Sequence, residues 1–480
     1  MGQFSSSFNS DITAVLGSQL SGDAEIHLPG STQFANATTR WSAFKAPHFT
    51  VVVEVATDGD VAETVRYANK RSIPFMAVNG GHGTIVSLGN FQSGIEIWLN
   101  KLNSISISDD GKTATVGGGA LSKHVTDSLW AKGKQTVTGH CECTSFLGPG
   151  LGGGHGILQG HYGLVADQFV SMNMVLGNGS LLTIDDQSDL WWAVKGAGHN
   201  FGIVTSVTTK IYDIPNNDLW SYSRFVYTHD KIEAVYEAIN THLLKNGTQP
   251  VKLSHYSFFI NIPALDPDYA LFALFILQEG TDAVEYQYTY TFLNIDPMIT
   301  ESGKGSFKDI VQWTEMATGS PICQKTGKYY IRFPVDLHQY NPIAQRAAFN
   351  HFSNITHINK ALNGSTCVFE GYSVHGVKSI PSSSTAFPHR AANILAAPAA
   401  IYEAGDEGLE AEAFQFGNQL REMLFQGSGQ KEMYSYVNYA AGNEGPRSWY
   451  GHEPWRLEKL QTLKAKYDPD HRLNFYAPFT

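Results

Sequence analysis

The pattern of hydrophobic positions predicts strands alternating with a helix near the start of the chain. Residues 49–56 and 73–78 are largely apolar, and between them Val61, Val65 and Ala68 recur at helical spacing. Buried strands on either side of a helix are typical of a βαβ unit. We therefore expect a small α/β lobe to begin near residue 50.

Between that unit and residue 206, shorter strands are predicted in which apolar and polar side chains alternate. Residues 95–99 alternate apolar side chains with polar or bulky ones, and residues 120–133 have one apolar helical face. Asp-Gly at 110–111 and Asn-Gly at 178–179 are strong hairpin signals. This part is predicted to be a second, α+β lobe rich in hairpins.

Residues 207–430 read as an antiparallel sheet backed by helices. Long aromatic strands are predicted at 252–262 and 270–280. Helices are predicted near 306–318, at 342–361 and at 407–424. A separate domain that binds the substrate fits this pattern. The last fifty residues are expected to contain a strand at 434–440 and a helix at 453–466.

Composition narrows the class of protein. A chain of 480 residues exceeds one ordinary core, so two or three domains are expected. A net charge of −11 makes nucleic acid or an anionic membrane an unexpected partner. The longest apolar run, 269–277, is far shorter than the roughly 20 residues that span a bilayer. The first residues lack the features of a signal peptide, which favours an intracellular protein unless the chain is a processed secreted form, and the compartment is left open.

The four cysteines leave several interpretations open. Cys323 and Cys367 lie in polar contexts and could pair. Cys141 and Cys143 lie in the glycine-rich stretch 138–156, where a bond between them would close a strained ring. Two buried thiols are the plain alternative.

The same stretch offers weak matches to a dinucleotide site and to a zinc site. Gly148, Gly150 and Gly153 match GxGxxG, but the residues before them are polar, Pro149 lies inside the motif and the nearest acidic residue is Asp167. Structural zinc usually needs a second Cys pair. The zinc ligands would be His140, Cys141, Cys143 and His155. No resident metal is predicted.

A second glycine-rich loop, 78–86, directly follows a predicted buried strand. Gly80, Gly81 and Gly83 would let the backbone approach a ligand, with N–H groups free to bind a pyrophosphate. His82 stands in the middle of this loop. A histidine flanked by glycines after a strand is a candidate reactive group.

Four features together carry a resemblance to a known family: the two glycine-rich loops, the segment GAGHNFGIV at 196–204 and the segment YVNYA at 436–440. Through them the chain resembles the berberine bridge enzyme-like branch of the vanillyl-alcohol oxidase flavoproteins, in its fungal form. The resemblance runs from about residue 45 to the C-terminus. It implies an α+β fold with a two-lobed FAD-binding domain and a separate substrate domain. The implied divisions are an N-terminal segment (1–44), the FAD domain (45–206), the substrate domain (207–430) and a C-terminal segment that returns to the FAD domain (431–480).

The resemblance also implies two covalent links to FAD. His82 matches the histidine joined to the flavin 8α carbon, and Cys141, eleven residues before Gly152, matches the cysteine joined to C6. Cys143 has no implied task. The implied cofactor-binding residues are Asn79, Gly80, Gly81, His82, Gly83, Thr84, Cys141, Thr144, Gly148, Gly152, Gly153, His155, Gly156, Tyr162, Gly163, Gly202, Val204, Asn438, Asn474 and Tyr476.

The sequence departs from the family pattern at three places. Val78 stands where many relatives have an arginine before the first loop, and Thr144 stands where a Val, Leu or Ile tunes oxygen access. Residues 381–384 hold no acid where some relatives carry a Glu or Gln base. The base is therefore expected elsewhere.

The implied reaction passes a substrate hydride to flavin N5 while a general base removes a proton. Tyr436 and Tyr439 are the first candidates for the base. In a regular strand they would face opposite sides, so Tyr436 is favoured, with Asn438 beside it. His375 is a second candidate.

The expected function is an FAD-dependent oxidase of an alcohol-type small molecule that passes electrons to molecular oxygen and forms hydrogen peroxide. An oligosaccharide oxidase acting at the reducing-end C1 hydroxyl is an alternative. A non-redox isomerase or cyclase using the same site is an alternative of another class. The oligomeric state is not predicted.

Overall fold

The computed structural model describes residues 11–215, 218–245, 247 and 249–480. Residues 1–10, on which the expectation about a signal peptide rests, lie outside this range. The strands are β1 Glu25–His27, β2 Val51–Glu54, β3 Phe75–Val78, β4 Ile95–Trp98, β5 Ile105–Ile107, β6 Thr113–Gly117, β7 Lys134–Gln135, β8 Phe169–Val175, β9 Leu181–Asp185, β10 Ile203–Lys210, β11 Tyr212–Asp213, β12 Trp220–Tyr227, β13 Leu253–Ile260, β14 Leu271–Glu279, β15 Ile299–Gly305, β16 Tyr329–Arg332, β17 Val335–Leu337, β18 Thr366–Gly371 and β19 Ile394–Tyr402.

Helices connect these strands and cover one face of the largest sheet. They are α1 Thr32–Thr38, α2 Asp58–Lys70, α3 Ser122–Trp130, α4 Leu147–Leu151, α5 Gln159–Tyr162, α6 Trp191–Ala197, α7 Ile232–Ala238, α8 Tyr286–Asn294, α9 Ile310–Trp313, α10 Pro342–Ile358, α11 His375–Lys378, α12 Glu407–Ser428, α13 Pro446–Tyr450 and α14 Pro454–Tyr467. Among the described residues, no helix is both long and apolar enough to cross a membrane.

The first sheet has the order β1-β2-β4-β3, and β4 pairs in parallel with both β2 and β3. Helix α2 connects β2 to β3 and begins with a capping box between Thr57 and Asp60. The predicted βαβ unit is confirmed. The predicted strand at 95–99 is confirmed as β4; it lies between β2 and β3, and the Glu96 side chain is fully buried.

The second sheet, β5-β6-β10-β8-β9, is antiparallel throughout. Both predicted hairpins are confirmed: Gly111 and Gly179 have positive φ angles of 65° and 84° in the turns. Val437, Leu460 and Phe479, near the C-terminus, pack in the same hydrophobic cluster as Val116 and Val207 of this sheet. The domain boundaries themselves stay predictions.

The third sheet has the order β15-β12-β14-β13-β18-β19-β16, and β17 also pairs with β19. Helices α7, α10 and α12 bury apolar side chains such as Tyr236, Phe352 and Phe416 against one face. The predicted helix at 306–318 is reduced to the short α9, because Glu315 takes a positive φ of 59° that a continuing helix does not allow. The opposite face of the sheet forms part of a cavity.

Candidate active site

One cavity lies between the two glycine-rich loops and the uncovered face of the third sheet. The loop wall consists of residues 79–83 and 139–148, and the sheet wall faces it. Alternate residues of four strands line the sheet wall because side chains of period two share one face. They are Tyr256, Phe258, Tyr330, Arg332, Thr366, Val368, Glu370, Ala397, Ala399 and Ile401.

The residues between these positions face the helices. Ile331, Cys367, Phe369 and Ala400 are fully buried in the core that α7, α10 and α12 cover. The same strands therefore build a hydrophobic core on one side and a chemically varied cavity on the other.

The first loop places His82 in the cavity. The His82 ring stacks on Trp41 with a centroid distance of 5.8 Å, and the backbone N–H of Trp41 donates to the Gly81 carbonyl. Burial lowers the pKa of His82 to about 4, and the nearby Lys325 and Arg332 act in the same direction. The imidazole is therefore neutral near pH 7. Its buried Nδ1 has no hydrogen-bond partner of good geometry among the described residues, while the Gly80 backbone beside the ring acts to raise its pKa.

The second loop brings Cys141 close to two other cysteines. Cys143 and Cys323 form a disulfide, and Cys141 Sγ lies 3.3 Å and 3.5 Å from their sulfur atoms. Cys143 Sγ is also 3.5 Å from His82 Nε2. Cys141 remains a free thiol, and burial raises its pKa. His82 and Cys141 thus share one corner of the cavity.

Two interpretations of the cysteines need correction. The pairing of Cys323 with Cys367 is wrong, since Cys367 is a buried free thiol in β18 and Cys323 bonds Cys143. Cys143 therefore has a structural task that the sequence did not indicate.

The four residues weighed as zinc ligands do not converge on one point. His140 Nε2 is 2.8 Å from the Thr314 hydroxyl, and His155 Nδ1 is 2.9 Å from the Gln159 side-chain oxygen. With Cys143 in a disulfide, the set does not form the arrangement that zinc requires.

Glu370 is the residue that sequence reasoning missed most clearly. It lies in β18, and both of its carboxylate oxygens accept hydrogen bonds from phenols: one from the Tyr439 hydroxyl at 2.9 Å and one from the Tyr372 hydroxyl at 2.6 Å. Burial is the main cause that raises the pKa of Glu370. The only signal in the sequence was its period-two spacing with Thr366 and Val368, which places the three on one face.

The predicted strand at 434–440 is wrong. Val437–Tyr439 is a 3₁₀ turn, and Ser435 donates its backbone N–H to Ser448 rather than to a neighbouring strand. Residues three apart lie one above the other in such a turn. Tyr436 and Tyr439 consequently both line the cavity, with ring centroids 5.2 Å apart.

The two tyrosines have different partners. The Tyr436 hydroxyl accepts a hydrogen bond from the Asn438 side-chain amide at 2.6 Å, whereas the Tyr439 hydroxyl donates to Glu370. The pKa of Tyr439 is raised mainly by burial, and Arg332, whose guanidinium carbon lies 4.2 Å from the Tyr439 ring centre, opposes this shift. Only Tyr439 has an acceptor to which it can pass a proton.

Most of the residues predicted to bind the cofactor do line the cavity. Asn79 supports the first loop by donating to the carbonyls of Gly118 and Ala120. The predicted residues that line the cavity are Asn79, Gly80, Gly81, His82, Gly83, Cys141, Thr144, Gly148, His155, Gly202, Val204, Asn438 and Tyr476, besides Tyr436 and Tyr439.

Other predicted residues lie outside the lining. Gly152, Gly153 and Gly156 support the cavity from behind: a Cβ on Gly152 would lie 2.2 Å from the Asn438 side-chain oxygen, and one on Gly156 would lie 2.1 Å from a backbone oxygen. Thr84 is buried behind the first loop. Asn474 accepts a hydrogen bond from Thr480 instead.

Three further predicted residues are placed elsewhere. Tyr162 stacks on Tyr212 at 3.7 Å, and Gly163 packs beside Asp167, both away from the cavity. His375 is exposed at the start of α11 and does not line the cavity. The structure therefore gives no support to His375 as the base.

Comparison with known proteins identifies the family. Residues 49–185 match the family described as the FAD binding domain. The chain is 48% identical to the FAD-linked oxidoreductase chyH of Penicillium rubens over 463 residues. This alignment covers 96% of this chain and 92% of chyH. The chain belongs to the fungal FAD-linked oxidoreductases. The resemblance to the berberine bridge enzyme-like branch of the vanillyl-alcohol oxidase family is confirmed.

Solved structures show the same fold for this oxidoreductase. The berberine bridge enzyme-like protein 1 of Physcomitrella patens has a TM-score of 0.80 at 19% identity and covers 98% of this chain and 99% of its own. The glucooligosaccharide oxidase of Acremonium strictum, studied for its 6-S-cysteinyl, 8α-N1-histidyl FAD, has a TM-score of 0.79 at 18% identity and covers 98% of each chain. The predicted mixed α+β fold class is confirmed.

The cavity of this FAD-linked oxidoreductase fits the cofactor. The loop wall offers backbone N–H groups beside glycines that leave room for a close approach, and a neutral imidazole lies beside a free thiol. FAD is therefore the cofactor, and these residues are the ones that would hold it.

Proposed function

We propose that this protein is an oxidase that carries FAD on His82 and Cys141 and oxidises an alcohol-type small molecule. The observation that supports the proposal is the shared cavity: the imidazole and the thiol lie in the loop wall, and Glu370 with Tyr439 lies in the facing wall. A bound flavin supplies the hydride acceptor and the route of electrons to molecular oxygen.

Tyr439 and Glu370 form the proton path. The Tyr439 hydroxyl already donates to Glu370, so Tyr439 can take the proton of the substrate hydroxyl while its own proton moves to the carboxylate. Arg332 beside the ring stabilises negative charge on the Tyr439 oxygen as this transfer begins. We therefore assign Tyr439, rather than Tyr436, as the group that contacts the substrate hydroxyl.

The remaining wall favours an apolar substrate. Phe258, Val368, Ala397, Ala399 and Ile401 present hydrocarbon to the cavity. An alcohol with an apolar body gains free energy by burying that body against these side chains. The test below distinguishes this proposal from the two alternatives, an oligosaccharide oxidase and a non-redox isomerase or cyclase.

An anaerobic screen tests the proposal. Purified holoprotein is mixed with a panel of aromatic alcohols and, separately, of cello- and chito-oligosaccharides, and flavin absorbance is followed before oxygen is admitted. We expect an aromatic alcohol to bleach the flavin, oxygen to restore it with formation of hydrogen peroxide, and Tyr439→Phe to slow bleaching by about 100-fold or more. Bleaching by oligosaccharides alone would contradict the substrate class, and turnover of a compound without bleaching would contradict the oxidase.

A further inference from the structure

Arg332 is an unusual charge in the sheet wall. Its guanidinium makes no hydrogen bond and no ion pair within the part of the chain that the structure describes. It lies instead over two aromatic rings, 4.2 Å from the centre of Tyr439 and 4.8 Å from that of Trp41. Contacts of this kind engage the faces of a guanidinium and leave its N–H groups, which lie in its plane, free to donate.

No carboxylate of the described lining forms an ion pair with Arg332, although its charge acts to lower the pKa of Glu370. Among the described lining residues, Glu370 is the only carboxylate, and both of its oxygens already accept from Tyr372 and Tyr439. Arg40, the other arginine of the lining, shows the contrast, because its guanidinium is 2.6 Å from Glu96 in a buried ion pair. Arg332 is half-buried and has no such carboxylate paired with it, so its N–H groups are free to bind an anion.

The side chains around Arg332 indicate the shape and polarity of a ligand that would bind there. Alternation along β16 directs Tyr330 and Arg332 to the cavity, and the cross-strand partner of Arg332 is Ala399. The small side chains of Ala397 and Ala399 leave space beside the guanidinium, and Val368 extends the apolar surface. The ligand that fits is an apolar body with one planar anionic group.

We propose that Arg332 determines specificity by binding a carboxylate of the substrate, so that the substrate is an apolar or aromatic alcohol that also carries a carboxyl group. This inference rests on the proposed function, whose site it shares. A bidentate pair between guanidinium and carboxylate fixes orientation as well as charge. It would hold the substrate hydroxyl against Tyr439, whose ring the same guanidinium contacts.

Ligand binding tests the inference without turnover. Isothermal titration calorimetry measures the binding of benzoate, and of its neutral counterpart benzamide, to the holoprotein. We expect benzoate to bind the wild type about tenfold or more tightly than it binds Arg332→Met, with Arg332→Lys between them, while the weaker binding of benzamide is the same in all three. Arg224→Met is the matched control, because Arg224 also lies over an aromatic ring, that of Phe275, but belongs to β12 outside the cavity.

Three results would overturn the inference: no benzoate binding by the wild type, equal benzoate affinity in the wild type and Arg332→Met, or an equal loss in Arg224→Met. Acid-stable flavin and anaerobic bleaching are recorded on the same preparations. Absence of acid-stable flavin together with absence of anaerobic bleaching would contradict the proposed function. A difference in benzoate affinity would still report on Arg332 alone.

Discussion

At the scale of single residues, the proton path depends on one buried carboxylate. Glu370 accepts from two tyrosines, and burial raises its pKa above that of an ordinary glutamate. It can therefore hold the proton that Tyr439 passes on and release it later. A glutamine in its place keeps the shape but cannot take up a proton.

Glu370→Gln should slow anaerobic flavin reduction by about 100-fold. In the wild type the carboxylate must be deprotonated to accept, so the reduction rate should fall as the pH falls through the raised pKa of Glu370. This limb of the pH profile should be missing in Glu370→Gln. Stopped-flow absorbance at several pH values measures both effects.

Tyr372→Phe is the matched control for Glu370→Gln, since Tyr372 donates to the same carboxylate without being assigned to the proton path. Its effect should be much smaller than that of Tyr439→Phe. Equal effects in the two phenylalanine variants would contradict the assignment of Tyr439.

The two residues proposed to carry FAD should respond differently to pH. His82, with its pKa lowered to about 4, is already neutral at pH 6, whereas the raised pKa of Cys141 keeps its thiol protonated. Covalent loading of apoprotein should therefore be nearly independent of pH between about pH 6 and about pH 8 in Cys141→Ala, and should accelerate with pH in His82→Ala. Flavin retained after acid precipitation is the measurement.

Each single variant should retain flavin in acid, and the double variant should release it. Cys367→Ala, which removes a buried thiol from the core on the helix-covered face of β18, is the control and should behave as the wild type. Release of flavin from both single variants would show that neither residue suffices as a link.

The chemistry-bearing residues differed in how far the sequence could predict them. The glycine-rich loop around His82 singled out that histidine, whereas only the resemblance to the family distinguished Cys141 from Cys143. Glu370 and Arg332 lie in ordinary strand sequence, and their importance comes from a pairing with Tyr439 across long stretches of chain. The bond between Cys143 and Cys323 joins positions 180 residues apart, which no local pattern reports.

At the scale of elements, strong local signals predicted the strands, the hairpins and the long helices. The segment at 434–440 misled the prediction because its apolar and polar residues alternate as in a strand. Its backbone instead turns at Val437–Tyr439, and tertiary contacts of Tyr436, Asn438 and Tyr439 decide its shape. The turn is what brings both tyrosines to one side.

Gly152 makes this turn possible, and Gly152→Ala should disturb it. The added Cβ would lie 2.2 Å from the side-chain oxygen of Asn438. The side-chain amide of Asn438 donates hydrogen bonds to the Pro149 carbonyl and to the Tyr436 hydroxyl. We expect lower flavin content and slower flavin reduction at unchanged helix and strand content by circular dichroism. Gly319→Ala, where the structure leaves open space, is the control. Unchanged flavin content in both variants would contradict this role for Gly152.

At the scale of the whole molecule, the cavity is formed by parts of the chain that are distant in sequence. A disulfide and a hydrogen bond join these parts next to the cavity. The disulfide joins Cys143 of the loop wall to Cys323, and the Trp41 indole N–H donates to the adjacent Ile322 carbonyl. A cross-link between residues so far apart in sequence restricts the unfolded chain strongly.

Cys323→Ser should lower the free energy of unfolding by about 2–4 kcal/mol. Thermal unfolding with and without dithiothreitol provides an internal control: the reductant should lower the Tm of the wild type and leave that of Cys323→Ser unchanged. A wild-type Tm that does not move, when mass spectrometry shows the disulfide reduced, would contradict a stabilising role.

The most direct measurement for the account as a whole is mass spectrometry of peptides from the denatured holoprotein. We expect one flavin to join the peptide that contains His82 to the peptide that contains Cys141, with Cys143 in a separate link to Cys323. Both peptides at their unmodified masses, from protein prepared with ample riboflavin and yellow before denaturation, would contradict the proposed attachment.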